Sequence, residues 1–207
     1  SVEMLKKFGI TTLVEEGDAN DLNASALALG GMTKGTTTLE MASAYSTFPN
    51  NGVRYDTSSF TKVVDKQGNV ILENKPKEHK VLDEGVAWIM ADMLSSVVNS
   101  AAANYAQISG VFVGGKTGTT NDAFDDWFNG FTPTYSASLW IGSDYGVSLS
   151  DHSIIATYMW GNIMRNINKV YDGSRAARPA NVISYNGEYY INGTQSGAKS
   201  VSDLKSR

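Results

Sequence analysis

The sequence has 207 residues, 42% of them hydrophobic, two histidines, no cysteine and a formal net charge of −4. This size predicts one globular domain with a sizeable core, and an acidic chain without a basic stripe argues against nucleic-acid binding. Without cysteine there is no disulfide or thiolate, and His79 and His152 lie in polar stretches that predict surface positions rather than a metal site. No apolar run reaches the roughly eighteen residues of a membrane-spanning helix.

The first fifty residues predict two helices separated by a long loop region. Residues 2–8 resemble the end of a helix that stops at Gly9, which suggests that the sequence begins inside a domain. Residues 10–37 are rich in Gly, Thr, Asn and Asp and predict loops with short turns. Residues 38–47 predict a helix that ends before Gly52, and its expected buried residues are Leu39, Met41, Ala42 and Tyr45.

The middle of the chain predicts a hairpin and then a long helix. Residues 60–64 and 69–72 are strand-like and flank a loop that contains Gly68, and residues 75–80 resemble a charged linker. Asp83 is the expected N-cap of a helix that extends to about Asn99. Its apolar stripe, predicted to face the core, consists of Val86, Ile89, Met90, Met93, Leu94, Val97 and Val98.

The last hundred residues predict a sheet and its covering helix. Residues 111–119, 128–131 and 137–141 form an expected three-stranded antiparallel meander. A helix is predicted over residues 153–169, with Ile154, Ile155, Tyr158, Met159, Ile163 and Ile167 facing inward. Long helices that cover an antiparallel sheet indicate an α+β fold. We expect a small hairpin from residues 182–185 and 189–191, and disorder after Gly193.

Residues 114–120, with the sequence G-G-K-T-G-T-T, are the stretch around which this fold is organised. Residues 110–117 satisfy the P-loop pattern G-x-x-x-x-G-K-[ST], and Lys116 also opens a K-T-G motif of serine acyl-transfer enzymes. A P-loop needs a flexible loop followed by a helix. Here the loop positions are β-branched and aromatic, and the residues after Lys116 are poor helix formers. The context favours a strand over a P-loop, which stays the second hypothesis.

The wider context resembles the transpeptidase domain of class A, bifunctional penicillin-binding proteins. The similar blocks, in the expected order up to about residue 180, are residues 1–9, 27–31, 38–48, 115–120, 127–133 and 139–142. The resemblance implies the α+β fold shared by penicillin-binding proteins and serine β-lactamases, with residues 1–180 as the C-terminal part of that domain. Residues 181–207 would be a polar, partly disordered tail.

The resemblance also implies roles for the central strand. Lys116 would supply positive potential and act with the backbone N–H of Thr119, which would donate to the oxyanion. The hydroxyls of Thr117 and Thr119 would hold the substrate carboxylate, Gly118 would keep the strand open, and Thr120 would complete the binding site. The implied partners are peptidoglycan stem peptides ending in D-Ala-D-Ala and β-lactam antibiotics, at the extracytoplasmic face of the bacterial membrane. No cofactor or metal is implied.

A transpeptidase also needs a nucleophile, which the family carries in S-x-x-K, with a second motif S-x-N, both before K-T-G. The literal matches begin at Ser59, Ser184, Ser196 and Ser202, and their order and context predict that all four are fortuitous. We therefore expect no nucleophile in this chain. Both motifs would lie upstream of Ser1, in an N-terminal part of the domain that could be a separate chain, and a glycosyltransferase and a membrane anchor would precede it. A third hypothesis is a non-catalytic penicillin-recognising sensor.

Two further groups near the motif have structural interpretations. The carboxylates of Asp122, Asp125 and Asp126 resemble a solvated turn more than a cation site, because calcium loops have a denser set of oxygen ligands. The aromatic residues that follow are predicted as strand core rather than a sugar-stacking platform, with Trp127 as a less favoured cleft residue; they are Trp127, Phe128, Phe131 and Trp140.

Overall fold

Helices and strands are mixed along the described part of the chain. The structure, a computed structural model, describes residues 1–101, 103–149, 154–167 and 173–195. The helices are α1 (Val2–Lys7), α2 (Ala24–Ala28), α3 (Thr38–Ser46), α4 (Glu84–Val98) and α5 (Ile155–Ile167). The strands are β1 (Val53–Tyr55), β2 (Lys62–Val64), β3 (Val70–Glu73), β4 (Glu78–Lys80), β5 (Gly114–Thr119), β6 (Asp125–Phe131), β7 (Ser136–Gly142), β8 (Val182–Tyr185) and β9 (Glu188–Ile191).

The central sheet is an antiparallel meander in the order β5-β6-β7, which confirms the predicted meander and the α+β class. Lys116 pairs with Asn129, which pairs with Ser138, so these three residues share one face of the sheet. The sequence placed the strand boundaries imperfectly. Residues 111–113 precede β5 rather than belong to it, and β6 begins at Asp125.

Alternation along β6 directs neighbouring side chains to opposite faces of this sheet. Phe128 is fully buried against Trp160 of α5, with the ring centroids 5.1 Å apart. Phe131 is fully buried on the other face, in a cluster with Ala91 and Leu94 of α4. The molecule therefore has three layers, with α5 on one face of the sheet and α3 and α4 on the other.

The predicted N-cap of α4 is confirmed, but its predicted buried stripe is partly wrong. The carboxylate of Asp83 accepts a hydrogen bond from the N–H of Gly85. Val86 and Met93 are exposed, whereas the buried face consists of Gly85, Ala87, Trp88, Ala91, Leu94 and Val98. Small residues let the helix approach its neighbours closely. The helix therefore buries the face whose shape matches the neighbouring elements, rather than the face with the largest apolar side chains.

The inward face predicted for α5 is wrong for the same reason. Ile154, Tyr158, Met159, Ile163 and Ile167 are all exposed, while Ala156, Thr157, Trp160, Gly161 and Met164 are buried. A Cβ at Gly161 would collide with the carbonyl oxygen of Tyr105, so this glycine permits the close approach of α5 to the 3₁₀ turn Asn104–Ala106. The predicted helix ends at 153 and 168–169 lie outside the described residues.

The N-terminal half contains three elements that sequence patterns did not indicate: α2, β1 and β4. Residues 10–37 include α2, capped by Asn23, and the presumed linker 75–80 contains β4, which pairs with β1. The predicted hairpin is confirmed as β2–β3. Leu39 was expected inside but is 61% exposed, because it lies on the solvent side of α3.

The predicted C-terminal hairpin is confirmed as β8–β9. It packs on α4, where Tyr189 meets Trp88 edge to face at 4.9 Å between ring centroids. The division at residue 180 and the polar tail stay predictions, and the disorder expected at residues 196–207 falls outside the described residues. In the part of the chain that the structure describes, no helix has the length and apolar character needed to cross a membrane.

Candidate active-site edge

Strand β5 carries the K-T-G motif along one edge of the central sheet. Glycines at its start allow close packing, since a Cβ at Gly114 would collide with the ring of Phe131 and one at Gly115 with Phe128. Within the described residues, β5 pairs with β6 alone, so its other edge is open. An open edge with fixed N–H and C=O groups can accept an extended peptide as an additional strand.

Backbone hydrogen bonds show which residues of β5 face that open edge. The N–H of Thr120 donates to the carbonyl of Asp125 at 3.3 Å, so Thr120 faces β6. Because backbone groups alternate along an antiparallel strand, the N–H and C=O groups of Thr119 and Thr117 point to the open edge. The carbonyl of Thr117 accepts a hydrogen bond from Lys116 Nζ at 2.9 Å, as expected for an outward carbonyl.

Lys116 is the cation of this edge. Its side chain is exposed, and no carboxylate of the described residues lies within ion-pair distance of Nζ. Beside it on the same face, Asn129 is buried and its Oδ1 accepts a 2.5 Å hydrogen bond from Ser138 Oγ. The positive charge of Lys116 is therefore available to a ligand carboxylate.

The threonines of the motif are engaged to different extents. Thr119 is exposed, and its hydroxyl has no hydrogen-bond partner among the described residues. Thr120 Oγ1 donates to Asp125 Oδ2 at 3.0 Å and accepts from the Asp125 N–H at 2.9 Å, so it also holds the following turn. A Cβ at Gly118 would lie 3.3 Å from the Cβ of Trp127, which is tighter than ordinary contact.

A groove of about 400 Å³ opens beside the Thr119 end of the strand. Gly118, Thr119 and Thr120 line one side of it, together with Trp127 of β6. The other side is largely apolar and comes from α1, α2 and α3 and the segments that connect them: Leu5, Phe8, Ile10, Leu27, Met32, Thr36, Met41 and Tyr45. Polar groups of β5 thus border a mainly apolar groove, a common composition for a binding site.

The expected solvated acidic turn is wrong for Asp126. This residue is 1% exposed, and its Oδ2 accepts a 2.9 Å hydrogen bond from the N–H of Ala156 in the first turn of α5. Burial raises the pKa of the Asp126 carboxyl, opposed by hydrogen bonds from the N–H groups of Ala156 and Ile155. Asp125 accepts from Trp140 Nε1 at 2.7 Å, so both carboxylates have structural partners.

The aromatic predictions are confirmed for the two phenylalanines, Phe128 and Phe131, which are fully buried. Trp140 is 37% exposed, so its predicted core position is wrong, and the half-buried Trp127 lines the groove, which is the less favoured of the two positions predicted for it. His79 is half-exposed, with Nε2 at 2.7 Å from Asp56 Oδ1, and His152 lies outside the described residues. No metal-binding group of three His, Cys, Asp or Glu side chains occurs among the described residues.

The literal nucleophile motifs do not occupy active-site positions where they can be seen. Ser59 is exposed in the loop before β2, so Ser59 and Lys62 do not lie one helical turn apart. Ser184 lies exposed in β8 of the terminal hairpin. The matches at Ser196 and Ser202 fall outside the described residues.

Glu40 is a half-buried carboxylate that the sequence interpretation missed. It accepts seven hydrogen bonds, all from backbone or hydroxyl groups of Thr11, Thr12, Thr36 and Thr37. Burial pushes its pKa up, but these hydrogen bonds, led by the Thr11 N–H, lower it to about 2. The capping-box pattern T-x-x-E at residues 37–40 was the available signal, although it does not reveal the distant partners.

Comparison with known sequences agrees with this architecture. A family model described as the penicillin binding protein transpeptidase domain matches residues 2–143. Penicillin-binding protein 1A of Clostridium acetobutylicum is 37% identical over 97% of this chain, and this chain covers 24% of that protein. Penicillin-binding protein 4 of Bacillus subtilis is 39% identical over 61% of this chain and is covered to 20%. The chain spans about a quarter of the length of such relatives.

Solved structures share the fold. Penicillin-binding protein 1A of Haemophilus influenzae superposes with a TM-score of 0.73 at 20% identity, covering 93% of this chain and 36% of that one. PonA1 of Mycobacterium tuberculosis, solved in complex with penicillin V, gives a TM-score of 0.68 at 24% identity, covering 84% of this chain and 50% of that one. At these identities the likeness concerns the fold alone.

Proposed function

This chain belongs to the penicillin-binding protein transpeptidase family, and from that premise we propose that it forms the substrate-binding part of a serine D,D-transpeptidase. The enzyme would cross-link peptidoglycan stem peptides at the extracytoplasmic face of the bacterial membrane. The observation that carries the proposal is the open edge of β5, where Thr119 directs its N–H outward beside the Lys116 ammonium group, which has no carboxylate partner among the described residues.

Each group at this edge has a chemical task in that reaction. A stem peptide that ends in D-Ala-D-Ala would lie along β5 as an added strand, with its carboxylate near Lys116 and the hydroxyls of Thr117 and Thr119. The scissile carbonyl would then lie by the N–H of Thr119, a fixed dipole that stabilises the negative charge developing on the oxygen. Thr120 would border the bound peptide, since its own hydroxyl already holds the turn.

The nucleophile would come from outside the described residues. In the proposed cycle a serine hydroxyl attacks the penultimate D-Ala carbonyl, the terminal D-Ala leaves, and an amine of a neighbouring stem peptide takes the acyl group from the serine. A β-lactam would acylate the same serine. We assign that serine to a segment N-terminal to this chain, because Ser59 lies in the loop before β2 and Ser184 in β8, neither of them in a helix, and the matches at Ser196 and Ser202 follow K-T-G in the sequence. The apolar groove beside Thr119 is the surface that such a segment would complete.

The two other hypotheses make different predictions. In a P-loop a helix begins near the lysine, whereas Lys116 lies in the middle of β5. We therefore expect that Mg-ATP does not bind to this protein. A non-catalytic sensor would bind penicillin without a covalent bond, so denaturation would release the ligand.

The direct test uses the full-length product of the gene and a fluorescent penicillin. The labelled protein is run on a denaturing gel, and the acylated serine is located by peptide mass mapping. We expect covalent label on a serine upstream of Ser1. Label on Ser59, Ser196 or Ser202 would contradict the assignment of the nucleophile, and reversible binding alone would favour the sensor.

Variants of β5 test the role of the edge. Thr119→Pro removes the outward N–H without breaking a β5–β6 hydrogen bond, and Thr119→Val is the matched control that keeps the N–H but loses the hydroxyl. We expect the proline variant to be acylated roughly 100-fold more slowly, the usual cost of one oxyanion donor, and the valine variant to be affected less. Lys116→Ala should also slow acylation, while Lys62→Ala on the exposed hairpin should not. Equal rates for Thr119→Pro and Thr119→Val would refute the oxyanion role.

A further inference from the structure

In the wall of the groove opposite β5, the carboxylate of Glu40 joins two loop segments, and that of Asp21 joins Val14 to Thr33 nearby. Glu40 Oε1 accepts hydrogen bonds from Thr11 N–H at 2.7 Å, Thr11 Oγ1 at 2.8 Å and Thr12 N–H at 3.2 Å. Its Oε2 accepts from Thr37 N–H at 3.0 Å, and from the hydroxyls of Thr12, Thr36 and Thr37 at 3.1–3.2 Å. Two loop segments that are 24 or more residues apart, 11–12 and 36–37, therefore meet at one side chain.

These segments are continuous with the groove lining. Ile10, next to Thr11, is buried in the groove wall, and Thr36 lines the groove itself. Met41 and Tyr45, one and five residues after Glu40 on α3, line the same wall. The hydrogen bonds of Glu40 thus fix the relative positions of the three parts of this wall: the segment after α1, the segment before α3, and α3.

Helix α3 is in turn fixed to the sheet that carries β5. The Oγ of Ser136 on β7 donates a 2.7 Å hydrogen bond to the carbonyl of Ala42. Phe48, just after α3, contacts Phe131 of β6 with ring centroids 6.1 Å apart. A continuous path of contacts therefore runs from the sheet through α3 and Glu40 to Ile10 and Thr36.

We propose that Glu40 is a positioning residue of this site, which sets the width of the groove beside Thr119 by tying residues 11–12 and 36–37 to α3. It touches no reacting atom. Its hydrogen-bond partners are N–H and hydroxyl groups of the same chain. It would influence the reaction by positioning the groove wall. This inference rests on the proposed function, because the groove is taken as the place where the acylation site is completed.

Three substitutions separate positioning from simple loss of stability. Glu40→Gln keeps the length of the side chain but turns one acceptor oxygen into a donor that faces N–H groups. Glu40→Asp keeps the charge but withdraws it from Thr11 and Thr12. Thr11→Val removes one hydroxyl only, so it reports on the network if the Glu40 variants fold poorly. Asp83→Ala, at the N-cap of α4 and outside the groove lining, is the control for destabilisation.

The experiment measures β-lactam acylation of the full-length protein at a temperature well below unfolding. The rate is separated into the dissociation constant of the non-covalent complex and the rate constant of the chemical step. We expect Glu40→Gln to weaken the non-covalent complex roughly tenfold, Glu40→Asp at least as much, and Thr11→Val less. Asp83→Ala should lower the melting temperature without changing either constant.

The outcomes distinguish this inference from the proposed function. If the wild-type protein is acylated and Glu40→Gln is acylated with unchanged constants, the positioning role is refuted and the proposed function stands. If Glu40→Gln and Asp83→Ala lose activity only in proportion to their loss of folded protein, Glu40 is merely structural. If the wild-type protein is not acylated at all, the proposed function fails and this inference fails with it.

Discussion

The two faces of the β5–β6–β7 sheet differ in how completely the described residues cover them. On the α5 face, Phe128 and Trp160 are 0% and 1% exposed. On the opposite face, α3 and α4 cover the end that contains Phe131, while Trp127 borders the open groove and Trp140 is 37% exposed. The closed face supplies the packing that stabilises the sheet, and the half-covered face leaves room for a ligand or a further segment.

Removing a tryptophan from each face should give the largest difference. Trp160→Ala leaves a cavity against Phe128, in a core that cannot collapse easily, and should lower the free energy of unfolding by about 3–5 kcal/mol. Trp127→Ala removes a half-buried ring at the groove and should cost about 1 kcal/mol, since little cavity is formed. Urea denaturation of both variants measures the two costs. Equal costs would mean that the groove face is as closely packed as the α5 face.

Acid should weaken the groove wall through Glu40. Its pKa is lowered to about 2 from 4.5, so the folded state binds its proton less tightly than the unfolded state. The stability that ionised Glu40 contributes is present above pH 4.5 and is lost as the pH falls from 4.5 to 2. Because the side chain is partly solvated, we expect a loss on the order of 1–2 kcal/mol. Denaturation at several pH values, compared with Glu40→Gln, measures this loss, and a parallel pH dependence in the two proteins would exclude it.

The contribution of Asp126, on the α5 face, to stability should depend on pH in the opposite direction to that of Glu40. Burial raises the pKa of its carboxyl, so the stability it contributes is complete below its unfolded pKa and declines as the pH rises through the folded pKa. Asp126→Asn keeps an acceptor for the Ala156 N–H but cannot ionise. We expect this variant to gain stability relative to wild type as the pH rises from acidic to neutral. The measurement is the difference in unfolding free energy against pH, and a constant difference would disprove the role of ionisation.

The sequence predicted the sheet better than it predicted the surfaces of the helices. Strand alternation and turn residues identified the meander, and a capping residue identified the start of α4. The buried face of α5 escaped prediction because Ala156 and Gly161 are buried for their small size, while larger apolar residues remain exposed. Hydrophobic periodicity counts bulk, whereas helix packing also depends on how closely two backbones can approach.

The candidate site likewise contains residues that the sequence predicted and residues that it did not. The K-T-G strand was found because its residues are contiguous, and its edge position followed from the predicted meander. Glu40 was missed because Thr11 is 29 residues away from it, a contact that only the folded chain creates. The sequence does not distinguish Asp126 from the neighbouring aspartates, and only the alternation of β6 directs its side chain into the core.

The smallest expected effect is that of an Ala→Gly substitution on stability. It should have opposite signs at Ala123, in the loop between β5 and β6, and at Ala156, in α5. Ala123 has a positive φ of 53°, a conformation that disfavours side chains with a Cβ by about 1–2 kcal/mol. Ala123→Gly relieves this strain but makes the unfolded chain more flexible, so we expect a net gain of about 0.5 kcal/mol. Ala156→Gly, in the first turn of α5, should instead lose about 1 kcal/mol, because it lowers helix propensity and removes a buried methyl group. Melting temperatures of both variants would show the two signs, and a loss at Ala123 would mean that the loop does not keep this conformation in solution.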